Sequence, residues 1–196
     1  MRPGDRKSGA LRHLALIALA ALVIGLALSP PAQGRDRAHA ARSHCHAHKA
    51  TSHVRRLARA VRCLHNAERR AHGLRPLHAS RSLGTAARRH AYDMAGRKYF
   101  GHVSLGGRTV GDRVRVTGYG RRGGFSAGEN LFYGLRPLPS PARVMAAWMA
   151  SPGHGQQILN PAWHELGIGT TMRPPVRGRG GVTVVAVFGS RRGGRR

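Results

Sequence analysis

Glu129 stands in Ala127-Gly128-Glu129-Asn130-Leu131, and Glu165 in Trp163-His164-Glu165-Leu166-Gly167, two carboxylates set among glycines and apolar residues. A half-buried carboxylate stays ionised only with a cation, a metal or several hydrogen-bond donors beside it. His102 follows Tyr99-Phe100-Gly101, and His154 follows Ser151-Pro152-Gly153, in comparable surroundings. Imidazole nitrogens and carboxylate oxygens converging on one cleft would hold a divalent cation, Zn²⁺ more naturally than Ca²⁺ because nitrogen donors are present. They would equally form a metal-free His–Glu network that fixes loops. The four residues come from four separate segments, so spacing leaves both readings open.

Other clusters have plainer explanations. Glu68 and Asp93 lie in helical stretches among arginines and read as surface pairs, worth little each. Gly124-Phe125-Ser126-Ala127-Gly128 fits the G-x-S-x-G elbow of serine hydrolases, but that elbow needs a buried strand before it and a helix after it. Here Arg-Arg-Gly-Gly precedes the serine motif and Glu-Asn follows it. His164-Glu165 begins like H-E-x-x-H, yet position 168 is Ile. His90 falls on an apolar helix face and reads as a core histidine. Trp148 and Met149 read as core, and Trp163 as either core or cleft wall.

The elements that must position these groups are legible from periodicity. Val54, Leu57, Ala58, Val61, Leu64, Ala67 and Ala71 recur at helical spacing, with Ser52 as a cap and Gly73 just past the end. A second helix is expected over 82–95, its inner stripe being Leu83, Ala86, Ala87, His90 and Met94. A third spans 110–117, capped by Thr109 and stopped by Gly118. Ser140-Pro141 opens a fourth, with Pro in its favoured first position; Val144, Met145 and Trp148 face inward. A helical turn follows around 154–159. Two strands, 165–172 and 182–188, close the domain as an antiparallel hairpin, the second apolar enough to be central. Helices first and strands last suggest an α+β fold.

At the front, Arg2, Arg6, Lys7 and Arg12 precede an uncharged run from 14 to 28, then Pro30-Pro31 and the small-x-small site Ala32-Gln33-Gly34. Fifteen apolar residues suit an export signal better than a membrane span of about 20. The expected organisation is therefore a signal peptide (1–34), a polar His/Arg-rich tether (35–50), a folded domain (51–190) and a basic tail (191–196). Cys45 and Cys63 are the only cysteines, and an exported protein with an even count pairs them. The rival is a metal site in His44-Cys45-His46-Ala47-His48, which oxidation of the thiol would weaken.

The formal net charge is +27. Removing the leader takes four bases and Asp5, leaving 30 bases, 6 acids and +24. Such a domain adheres to polyanions, which outside a cell are anionic envelope polymers or lipid. Specific nucleic-acid recognition is not expected: no recognition motif appears, and aromatics are only 5% of the chain. At 41% hydrophobic it is no disordered basic tail.

The order YFGHVS, GEN, WMASPGHGQQIL, HELGIG, then an apolar strand ending Phe188-Gly189, resembles a bacterial CAP domain, of the cysteine-rich secretory, antigen 5 and pathogenesis-related 1 superfamily. CLHNAERRAHGLRPL and AARRHAYDM match its opening, so the resemblance covers 59–189. It implies a three-layer α-β-α sandwich whose cleft is lined by His102, Glu129, His154 and, less firmly, Glu165. It also implies metal binding through His102, His154 and Glu129, binding of a small hydrophobic ligand, and cell-envelope association; a monomer is expected. The alternative expectation is a metal- or His/Glu-assisted hydrolase of wall peptides or glycans, with Glu129 as base and His102 and His154 as metal ligands or acids. Two departures stand out. Gly155 and Gln157 replace the arginine and asparagine of SPGHRxNIL, and Val185-Ala186-Val187 replaces the aromatic-Thr-Gln before the final Phe-Gly, removing a polar group near the cleft.

Overall fold

The computed structural model describes residues 44–192 apart from 122 and 179. The expected signal peptide and most of the tether lie outside the described residues, as do 193–196.

The elements run α1 (Val54–Ala71), β1 (His78–Ala79), α2 (Arg81–Arg97), α3 (Val110–Arg115), β2 (Phe125–Leu135), α4 (Pro141–Met149), α5 (Pro152–Leu159), β3 (Glu165–Thr171) and β4 (Gly181–Arg191). One four-stranded sheet has the order β1-β3-β4-β2, antiparallel except for the short parallel pair β1–β3. The α+β sandwich expected from the sequence is present. β4 is central, and residues 181–189 are all buried, as its β-branched run requires.

Alternation along β2 and β4 sends successive side chains to opposite faces. On one face Leu131, Val185 and Val187 pack against Leu83, Ala87, Ala91 and Met94 of α2, with Val114 of α3 and Tyr119. On the other, Phe188, Leu166, Ala186 and Val184 meet Leu57, Val61 and Leu64 of α1, Trp148 of α4 and Ile158 of α5. α2 lies unusually close to β3 because positions 167 and 169 are glycines. A Cβ at Gly167 would overlap the backbone of Leu83 and Gly84, and one at Gly169 the backbone of Ala87 and Arg88. The Gly-Ile-Gly of the sequence is thus a seat for a helix backbone.

The differences from the sequence reading have local causes. β2 was not expected as a strand: Gly124, Gly128 and Gly134 and the polar Ser126, Glu129 and Asn130 break its apolar pattern. It forms because it finds β4 over its whole length, from Phe125↔Arg191 to Leu135↔Gly181. α1 starts after His53 rather than Ser52, and His53 offers no side-chain cap. At α3 the cap is as expected, with Thr109 and Asp112 forming a reciprocal capping box.

Cys45 and Cys63 are disulfide-bonded. Cys45 and Ala47 are core residues, and the Ala47 carbonyl accepts from Ala142 N at 2.9 Å. Part of the stretch expected to be tether is therefore domain. Arg191, read as the start of a tail, instead closes β4. The buried Arg69 ties α1 to α5: Nη1 donates to Ile158 O (2.8 Å) and Asn160 O (2.9 Å), and Nε to Arg75 O (2.9 Å). Burial lowers its pKa, and three carbonyl acceptors offset part of that cost.

Candidate functional site

Three consecutive residues of β2 set up the site. Gly128 and Asn130 face the α1/α4/α5 layer, and Glu129 between them faces α2. Gly128 has no room for a side chain, since a Cβ would run into Gln157 and Trp163. Asn130 is fully buried, and its Nδ2 donates to the His154 carbonyl at 3.0 Å, fixing the start of α5. Gln157, at one of the two departures from the family pattern, accepts from Trp163 Nε1 at 3.1 Å. Trp163 itself is buried and stacks on Phe188, so it belongs to the core.

On the other face the Glu129 side chain is only 1% exposed. Arg113 Nη2 donates to Oε1 at 3.0 Å and Oε2 at 2.9 Å. His102 Nδ1 donates to Oε1 at 3.0 Å. His90 Nε2 lies 3.8 Å from the same oxygen and donates to Gly101 O at 3.0 Å. Arg113 is itself fixed by His102 O, Arg108 O and Ser104 Oγ, at 2.9, 2.7 and 3.2 Å. The cross-strand neighbour of Glu129 is Val187, at the position where the family pattern has a glutamine, so the cation supplies the polar support that Val187 cannot.

This arrangement gives the imidazoles different characters. His90 is buried, and burial foremost lowers its pKa against the opposing pull of Glu129. With Nε2 committed to a carbonyl, its Nδ1 is an acceptor without a partner. His102 is 58% exposed on its side chain; its Nδ1 is held by the carboxylate, and Nε2 points away from that bond. His154 has its pKa lowered, first by burial and then by the nearby charge of His102. His102 is thus bonded to Glu129, and its charge bears on His154.

Glu165 is not part of this group. It starts β3, separated from β2 by β4, and its carboxylate accepts from Tyr119 Oη and from Arg191 Nη2 at 3.2 Å. Nor is Glu129 presented as a metal ligand or a general base: it sits behind His102, with both oxygens engaged. Among the described residues no group of three or more His, Cys, Asp or Glu is placed to hold a metal ion. The donors that remain are the His102 and His154 imidazoles, which suit a borderline metal but provide two protein ligands where a closed zinc site uses four.

Sequence reasoning missed Arg113 and the role of His90. Arg113 is one of 31 arginines, so composition conceals it. The one available signal was that a carboxylate as buried as Glu129 must have a cation. Ser126 lies within strand β2, which removes the strand–turn–helix that a nucleophile elbow needs.

The fold is that of a CAP domain. The cysteine-rich secretory protein family model matches residues 63–188, and the chain belongs to that family. It is similar to two Bacillus subtilis proteins, the uncharacterized protein YkwD (37% identity) and the uncharacterized membrane protein YlbC (34%), each over 106 residues, 54% of this chain. The match covers 39% and 29% of those relatives, so this chain spans well under half their length. An extracellular SCP-domain protein of Bacillus anthracis superposes with a TM-score of 0.56 at 26% identity, over 69% of this chain and 40% of that one. An outer surface protein of Borrelia burgdorferi shares the fold at 0.59 and 21% identity, over 72% of this chain and 100% of that one.

Proposed function

We propose that this is an exported CAP-domain binding protein whose cleft takes a divalent cation or a small ligand at the His102/His154 pair. The observation that carries the reading is the chain Arg113–Glu129–His102: a buried ion pair spent on orienting one exposed imidazole. A carboxylate holding Nδ1 of a histidine fixes its tautomer and makes Nε2 the better donor, the usual outer partner of a metal-binding histidine. A cation bound there would supply a Lewis-acid centre. With two imidazoles as its protein ligands, binding is weak and exchangeable, and water or a ligand completes the coordination.

Phe100, two residues before His102, forms an exposed edge-to-face pair with Tyr133 at 4.9 Å, and Val103, the next residue after His102, is exposed as well. This apolar rim suits a small ligand with a hydrophobic part. The basic charge favours association with anionic envelope polymers or lipid. Export is supported by the leader, the disulfide and the likeness to the extracellular SCP-domain protein of Bacillus anthracis. No helix among the described residues is long and apolar enough to cross a membrane.

Calorimetric titration of Zn²⁺ into the protein tests the cleft. One saturable site lost in His102→Ala/His154→Ala supports the reading; unchanged binding in that variant removes it. Envelope binding that persists at about 0.5 M salt would contradict an electrostatic attachment, since exposed charges are largely screened there.

A further inference from the structure

The described surface holds a concavity of about 450 Å³ between α2 and the 98–109 loop with α3. It excludes the His102/His154 pair and shares only the inner residues His90 and Arg113 with the Glu129 network. Its wall carries four guanidinium groups, from Arg89, Arg97, Arg108 and Arg113, against one carboxylate, Asp93. Arg89, Asp93 and Arg97 follow at four-residue steps, so α2 presents them as one stripe. Two of the cations are matched. Arg113 is paired with Glu129 at 2.9 Å, and Arg97 stands 3.6 Å from Asp93. Asp93 also accepts from Tyr99 Oη, so its charge is already shared. Arg89 and Arg108, one from the helix and one from the loop, have no carboxylate partner among the described residues.

We infer that this pocket binds an organophosphate, a phosphate carried on a polyol or sugar. Two uncompensated guanidiniums reaching a concavity from separate elements match a doubly charged group with several acceptor oxygens, which arginine recognises best. The cavity lies within the usual range for small-molecule sites, roughly 300–1,000 Å³, and exceeds what a bare phosphate fills. The remaining space, beside Ser104 and Gly106, takes the hydroxylated carrier.

Titration of glycerol 3-phosphate into the full chain, followed by calorimetry and by amide NMR shifts, tests this. Binding is saturable, with shifts centred on α2 and the 98–109 loop. It weakens about tenfold in Arg89→Ala/Arg108→Ala. The control Arg55→Ala/Arg70→Ala removes the same charge from exposed sites on α1 and changes affinity less than about twofold. Both arginines of each pair are exposed, and an unchanged thermal midpoint verifies folding. Equal losses in the two double variants, or no saturable binding, overturn the proposal in favour of general charge. Inorganic phosphate binding as tightly as glycerol 3-phosphate overturns the role given to the carrier. A short polyglycerol phosphate in parallel separates sources: tighter binding per phosphate points to a polymer-borne group, weaker binding to a soluble one. His154→Ala retains phosphate binding, so failure of the imidazole site and failure of this one are distinguishable.

Discussion

Arg113 meets Glu129 with a single nitrogen. Nη2 spans both carboxylate oxygens at 3.0 and 2.9 Å and also donates to His102 O, while Nη1 is committed to Arg108 O and Ser104 Oγ. The guanidinium is therefore a crosslink between the 98–109 loop and β2, with the ion pair as one of its ends. Through it the backbone and the ring of His102 are fixed by the same two residues.

Removing that cation leaves a buried carboxylate unpaired. Arg113→Ala is expected to cost about 3–5 kcal/mol in urea unfolding. Arg113→Met/Glu129→Gln, which removes both charges, recovers a large part of the loss. Equal destabilisation in the two variants would show that the pairing is not what matters.

The His102–His154 coupling has a sign that NMR can read. Burial and the His102 charge both hold the His154 pKa below 6.5. In His102→Ala the second influence is gone, and the ¹⁵N-detected titration midpoint of His154 moves upward. No movement, or a downward one, would place the two rings out of each other's range.

His65 makes the fold acid-sensitive. It is fully buried against Trp148 and Phe188, with Nδ1 on Val61 O (2.8 Å) and Nε2 without a partner. Burial foremost, with Arg69 adding and the Val61 bond opposing, lowers its pKa from 6.5 to about 4. As pH falls below 6.5 the unfolded chain takes up the proton first, so this contribution is complete above 6.5, declines towards pH 4 and then levels off. At about 1.4 kcal/mol per pH unit, the loss is about 3 kcal/mol. His65→Leu should flatten that limb of the stability–pH curve.

Gly167→Ala tests the helix seat. The added methyl has only backbone to displace, at Leu83 and Gly84, and overpacking of this kind costs about 3 kcal/mol or more. Gly96→Ala, within the same helix α2 and with open space around it, is the control and is expected to be neutral or stabilising.

Much of this was legible in the chain itself. The periodic stripe of Val54, Leu57, Val61 and Leu64, the Thr109 and Ser140 caps, and the apolar run of β4 each act within a few residues, so pattern alone recovers them. Strand β2 was not legible, because its stability comes from a partner more than 45 residues away and its own residues are chosen for the site. His102 and His154 were found by their glycine-rich settings and by the family resemblance. Arg113 was hidden by abundance, and Glu165 looked like Glu129 because both stand among glycines. Their difference lies in which strand carries each one.

β2 and β3 are not paired with each other: β2 is laddered to β4 alone, and β3 to β4 and, over two residues, to β1. Until residues 181–191 emerge, a growing chain has no continuous sheet: β2 has no partner strand, and only β3 with the two residues of β1 lies against the helices. Assembly of the full sheet must therefore wait for the closing strand. A stop placed before position 181 would release a chain whose β2 has no partner strand and whose two helical layers lack the central strand between them.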